Sequence, residues 1–309
     1  MAFFEIAKEF ITNKPPNLKG PHFYKADSDL RAQLEQLKEF YKTAPDYIKP
    51  QVEQDIKMLH YGIAGEEQVA FELNNSFIPM IVLHDLHLEY EGLTSQIDFM
   101  IITTKLVLVV ECKNLYGNIE VNNRGEFIRT FEYKGKLIKE GIYSPITQNA
   151  RHLDMIKKIR LTSKNNFLAR SSFLKYFEET YKSVVVLANP KTVIDLKYAK
   201  KEVKDQIIRC DQLVGYIKKL LKDSGNEAWF EKQMYELADF FLSFHTPNTK
   251  DYTRKYVEGD WKKKDESEIT KMEVNLEETP LYKELRQYRY EISRAAGLKP
   301  YMVFTNAEM

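Results

Sequence analysis

Residues 96–114 read QIDFMIITTKLVLVVECKN, and the fold depends on whether they form one element or two. Aliphatic and β-branched side chains occupy Ile97, Phe99, Ile101 and Ile102, then Leu106 through Val110, with only Thr103, Thr104 and Lys105 between them. That density predicts two strands, and unbroken apolar runs suit strands covered on both faces. With Thr104 and Lys105 as a two-residue turn, partners across the hairpin carry numbers that add to 209, which sets Asp98 opposite Glu111. Directly opposed residues bring their Cβ atoms to roughly 4.5–5.5 Å, where like charges repel. Lys113 shares the face of Glu111 by the strand period of two, while Cys112 turns the other way.

Two bland readings compete with a functional one. Thr-Lys lacks the Asn-Gly or Gly-X chemistry that two-residue hairpins favour, and a loop one residue longer or shorter would offset the acids. An E-x-K pair at the end of an edge strand also forms as a solvated salt bridge. Against these stands the grouping itself. Two carboxylates and an ammonium on one face of an otherwise apolar hairpin suit a divalent-metal hydrolase.

The remaining composition narrows the class. At 309 residues and 43% hydrophobic content, the chain has room for one substantial core and an accessory domain. A formal net charge of +1 excludes a globally basic surface, so contact with nucleic acid needs local patches. Cys112 and Cys210 make no disulfide framework, no Cys/His spacing suggests zinc, and both thiols fit a reducing cytoplasm. The opening MAFFEIAKEF lacks the features of a secretion leader, and the longest apolar runs are strand-sized. The expectation is a cytoplasmic protein without a membrane span.

Outward from the hairpin, residues 1–25 read as an arm. Residues 27–42 carry Leu30, Leu34, Leu37 and Phe40 at helical spacing after Asp27 or Ser28 as N-cap. A second helix is expected from Pro50 to Leu73, and Gly62 and Gly65 inside it imply a close backbone approach or a break. Glu66 follows, and alone it would pass for a solvated helix residue. Ile78–Tyr90 reads as an apolar strand whose His84 and His87 face opposite sides, so no metal pair is expected there. Glu91–Ser95 then reads as a turn.

Beyond Leu115–Gly117 an antiparallel meander is expected, with turns at 122–125 and 134–136. Ser144 and Pro145 then open a helix on which Gln148 and His152 share a face. Residues 151–170 carry Arg151, Lys157, Lys158, Arg160, Lys164 and Arg170 against Asp154 alone, either a solvated face or a phosphate track. KSVVVLANP is a further buried strand, and helices are expected over Gln212–Leu221 and Glu227–Phe244. Residues 246–278 read as a charged linker, and the tail opens a helix capped at Thr279 and stopped by Gly297.

The succession Gly62-x-x-Gly65-Glu66, Gln96-Ile97-Asp98, Val110-Glu111-Cys112-Lys113-Asn114 and Pro145-x-x-Gln148 resembles the NERD (nuclease-related) domain. That family is grouped with the PD-(D/E)xK, restriction-endonuclease-like nucleases. The resemblance covers about residues 60–190; Ile97 stands where the superfamily often has proline. It implies an α/β fold, a restriction-endonuclease-like mixed sheet flanked by helices, with an N-terminal helical segment and a small helical C-terminal module. The expected domains are an N-terminal arm and helices (1–59), the nuclease-like domain (60–245), a charged linker or small irregular element (246–278) and a partial HRDC-like segment (279–309). The last rests on LYKELRQYRYEISRAAGLKPYMVFTNAEM, which resembles the opening of the helicase and RNase D C-terminal module.

By the same resemblance Asp98, Glu111 and the Cys112 carbonyl hold Mg²⁺ or Mn²⁺, with Glu66 completing the shell or placing the nucleophile. Lys113 and Gln148 act on phosphate or water. DNA is the expected partner, RNA a lesser one, with contacts from Arg151, Lys157, Lys158, Arg160 and Lys164; helicase or repair partners follow from the tail. The alternative is a catalytically silent nucleic-acid-binding or scaffolding protein on the same fold.

Overall fold

The computed structural model describes residues 18–133, 135–248 and 251–257, together with Gln287, 289–291, Ser293 and Arg294. The chain divides into two units, residues 1–250 and 251–309. In the second, Arg254–Val257 is helical, as are the described tail positions from Gln287 to Arg294. Most of the expected linker and HRDC-like segment lies outside the described residues.

The first unit is built on a six-stranded mixed sheet in the order β1-β2-β3-β4-β8-β10. Its strands are β1 (Pro21–Lys25), β2 (Met80–Tyr90), β3 (Leu93–Thr103), β4 (Val107–Lys113), β8 (Tyr181–Leu187) and β10 (Ile207–Arg209). The β2–β3 and β3–β4 pairs are antiparallel, whereas β1–β2, β4–β8 and β8–β10 are parallel. The opening hairpin is therefore real, and its observed pairs run from Ile102↔Val107 to Phe99↔Val110, the expected register. Its unfavourable Thr-Lys turn is closed by Thr103. That hydroxyl accepts from Lys105 and Leu106 N–H at 3.3 and 3.0 Å and donates to the Leu106 carbonyl at 2.7 Å.

Helices cover both sheet faces, which is why these strands are apolar throughout. On one side Leu83, Met100, Ile102 and Val109 pack with Ile156 and Ile159 of α3 (Pro145–Thr162), Phe177 of α4 (Phe167–Thr180) and Phe241 of α7 (Glu231–Leu242). On the other, Val82, Phe99, Ile101, Leu108 and Val110 pack with Val69 and Leu73 of α2 (Lys49–Asn74) and with Leu213 and Ile217 of α6 (Leu213–Asp223). Ahead of α2 lies α1 (Asp29–Thr43), whose Ser28 cap accepts from Leu30 N–H. A second, four-stranded sheet holds the meander β5 (Asn118–Val121), β6 (Phe127–Tyr133) and β7 (Lys136–Ile142) beside β9 (Ile194–Asp195). Among the described residues no helix is long and apolar enough to cross a membrane.

Several expectations change. Residues 21–25 are an edge strand rather than part of an arm: five residues are too few to show a period, and the pairing comes from β2 far along the chain. The turn after β2 is only Glu91–Gly92, both at positive φ, so β3 begins at Leu93 rather than at Gln96. The expected boundary between residues 59 and 60 falls inside α2, which runs unbroken through it. Neither α4 nor the small elements between 191 and 209, β9, α5 (Lys201–Lys204) and β10, was legible in the charge-rich sequence there.

Candidate active site

The strand alternation breaks where the site begins. Leu83 and Leu86 of β2 both point into one core, as do Met100 and Ile97 opposite them, although the register between the strands never shifts. The ladder skips Asp85 and Asp98, and Asp85 sits in the left-handed region at φ 50°. A non-glycine residue there costs roughly 1 kcal/mol or more, tolerated best by Asp and Asn. Buried Asp85 is held by its own bonds, accepting from Gln96 Nε2 at 2.8 Å and Asp29 N–H at 2.6 Å.

Asp98 Oδ2 accepts from Cys112 N–H at 2.7 Å, across the hairpin and beside Glu111. Glu111 is buried; its Oε1 accepts from Lys113 Nζ, which also donates to Gln148 Oε1 at 3.2 Å. Gln148 is placed by the first turn of α3, where Ser144 Oγ caps Thr147 N–H and Pro145 stands at the helix start. Glu66 arrives from α2 because Gly65 lets that helix press onto the end of β4: a Cβ at Gly65 would lie 2.7 Å from Asn114 Cβ and 3.2 Å from Cys112 Sγ. The close approach expected of the two glycines thus falls on Gly65. At Gly62 a Cβ would meet only Leu30, at 3.6 Å.

Glu66, Asp98, Glu111, Cys112, Lys113 and Gln148 thereby line one cavity of about 220 Å³. The strand–strand–helix pattern read from sequence brings all of them together. What the sequence hid is the company they keep. His84 Nε2 lies 2.7 Å from Glu66 Oε2, with its ring stacked on Phe99 at 4.5 Å, and Ser28 Oγ donates to the same oxygen at 3.4 Å. His87 faces away and meets the Thr246 carbonyl instead. His152, one turn beyond Gln148, is buried beneath Glu111.

The electrostatics follow from this crowding. Burial, then the charge of Glu111, then that of Glu66 push the Asp98 carboxyl well above its usual range, and the Cys112 N–H offsets only part. For Lys113, burial works against the charged form, but Glu111 outweighs it and the ammonium is held above its ordinary value. The Cys112 thiol is pushed well up by burial and by Asp98 and Glu66, which argues against a thiolate role.

Residues 61–188 match the nuclease-related domain, NERD. The matched span begins in α2 before Glu66 and ends just past β8, so it takes in every residue of the cavity named above. It agrees with the extent expected from the motifs. No curated protein and no solved structure matches the chain. The two mixed sheets flanked by helices are consistent with a restriction-endonuclease-like fold. Nothing in these comparisons supports the HRDC-like reading of the tail.

The likeness to the nuclease-related domain raises a cation as a candidate occupant of this cavity. Glu111 Oε2 is buried with no hydrogen-bond partner, which costs about 1–3 kcal/mol. Asp98 is driven toward its protonated form by the acids around it. Both deficits are of the kind that a positive ion corrects. Among the described residues no three His, Cys, Asp or Glu side chains gather to hold a metal, and Glu66 is already engaged by His84. Two carboxylates and a carbonyl suit Mg²⁺, which keeps several waters, and do not suit zinc.

The expected basic track is divided by the structure. Arg151 and Lys158 are exposed and line a groove of about 480 Å³ that shares Gln96 and Gln148 with the site cavity. Lys157, Arg160 and Lys164 are only partly exposed and lie over the rings of Phe177, Phe240 and Phe173.

Proposed function

We propose that this chain hydrolyses phosphodiester bonds in DNA, with RNA the lesser candidate, using Mg²⁺ or Mn²⁺ held by Asp98, Glu111 and the Cys112 carbonyl. One observation carries the reading. Asp98 and Glu111 line one cavity with Lys113, the first with its carboxyl pushed well above the usual range and the second with a buried oxygen, Oε2, that has no hydrogen-bond partner. When bound there, the ion would supply Lewis acidity toward the phosphoryl group and would lower the pKa of a bound water. Lys113, fixed between Glu111 and Gln148, offsets negative charge developing at phosphorus. The Gln148 amide N–H₂ is left to hold a phosphate oxygen or water. Glu66, anchored through Oε2 by His84, acts on the attacking water rather than on the ion.

The substrate strand leaves the cavity along Arg151 and Lys158, which reach solvent beside Gln148. The test is cleavage of single- and double-stranded DNA and RNA with Mn²⁺, Mg²⁺ or EDTA, in the wild type and Asp98→Asn. Metal-dependent cutting abolished by the substitution is the expected result. Nucleic-acid binding that persists in EDTA without any cutting would instead favour the silent binder.

A further inference from the structure

His152 belongs to the cavity without lining it. Its Nε2 and Glu111 Oε2 are both buried, both lack a hydrogen-bond partner, and lie 3.4 Å apart. On the other side of the ring, Nδ1 is 2.6 Å from Ser95 Oγ. Ser95 is on β3 and His152 on α3, so the histidine ties the helix that carries Gln148 to the strand that carries Asp98.

We infer that His152 is a positioning residue for Glu111, braced by Ser95 and held by the carboxylate it faces in the tautomer that carries its proton on Nε2. The carboxylate is the group that Nε2 faces, and an ionised carboxylate only accepts; Nε2 must then be the donor. Nδ1 is left as an acceptor, and the Ser95 hydroxyl fills it at a normal O–H···N distance. Glu111 is thereby addressed from two sides, by Lys113 at Oε1 and by His152 at Oε2. Rotation of the carboxylate is restricted, and each oxygen keeps a lone pair for the ion. At 3.4 Å the His152 contact is longer than an N–H···O bond, so in the metal-free chain it orients electrostatically. Outer residues that orient a ligating group commonly change metal affinity by about 10–100-fold.

The inference rests on the cation reading proposed above, and its test separates the two. Mn²⁺ affinity is measured by titration for the wild type, His152→Phe, His152→Gln and Ser95→Ala. In the metal-free protein the imidazole nitrogen shifts of His152 are read by NMR, assigned by their loss in His152→Phe. The expected results are an Nε2–H tautomer in the wild type, Mn²⁺ binding about 10–100-fold weaker in His152→Phe, and a smaller loss in Ser95→Ala, which removes only the brace on Nδ1. His152→Gln, which keeps a donor, should restore most of that loss. A wild type carrying its proton on Nδ1, or a folded His152→Phe that binds Mn²⁺ as tightly as the wild type, overturns the inference while leaving the metal reading intact. A wild type that takes up no Mn²⁺ brings down both. Should His152→Phe fail to fold, the wild-type tautomer still decides, its signals assigned through His152→Gln.

Discussion

The backbone N–H of Cys112 donates to Asp98 Oδ2 at 2.7 Å, and it is the one hydrogen bond set against the burial and like charge that act on that carboxyl. Because the folded value of Asp98 is raised, the folded chain holds more protons than the unfolded chain once pH exceeds the ordinary Asp range, about 3.9. Stability is therefore expected to fall as pH rises from there through the raised value. Saturating Mg²⁺ or Mn²⁺ and the substitution Asp98→Asn should each flatten that slope. Thermal unfolding between pH 4 and 8 checks it; a metal-free wild type whose stability does not fall over that range would rule it out.

Glu111→Gln and Lys113→Met should each lower cleavage by a factor of about 10²–10³, in line with the loss of a preorganised group at such a site. Lys113→Met leaves Glu111 without its ion-pair partner, so its folded stability should also drop. Single-turnover rates measured beside melting temperatures separate the two effects.

Gly65→Ala should destabilise by about 1–3 kcal/mol, because the new methyl meets Asn114 Cβ at 2.7 Å and neither α2 nor β4 can retreat from the core. Gly62→Ala, with only Leu30 at 3.6 Å, should be neutral or stabilising by up to about 1 kcal/mol. Denaturant unfolding of the pair reports on the helix–strand approach that delivers Glu66. Equal effects at both positions would contradict it.

Arg151→Ala and Lys158→Ala should each weaken nucleic-acid binding and reduce the salt dependence by about one counterion. Arg160→Ala should instead lower the melting temperature, since its guanidinium donates to Tyr181 and covers Phe240. Binding titrations over a range of salt discriminate the two groups.

What the sequence disclosed and what it withheld have a common physical origin. The hairpin register was legible because a period of two and a short turn are local: they gave the pairs from Ile102↔Val107 to Phe99↔Val110, and the ladder ends one step short of Asp98 and Glu111. Gly65 and the Ser144-Pro145 cap were local signals of the same kind. His84 gripping Glu66, Asp29 reaching Asp85 and Ser95 meeting His152 are contacts across long stretches of chain, and no spacing rule announces them. The basic run around α3 looked continuous in sequence; the structure lays Lys164, Lys157 and Arg160 half-buried over Phe173, Phe177 and Phe240, while Arg151, over Tyr143, and Lys158 stay exposed.

The strand that bears Glu111 and Lys113 has one neighbour close by in the chain, β3, and another, β8, that is synthesised much later. Parallel pairing of this kind closes a long loop and forms slowly. Ala188, just after β8, donates to the Lys113 carbonyl and is one of the contacts packed at Gly65. A nascent chain emerging from the ribosome should thus lack a finished site until the segment beginning at Tyr181 has docked, which delays any cutting of nucleic acid until translation has passed that point. Stalled chains ending before Tyr181 are expected to bind no Mn²⁺, and uptake by such a chain would refute this order of assembly.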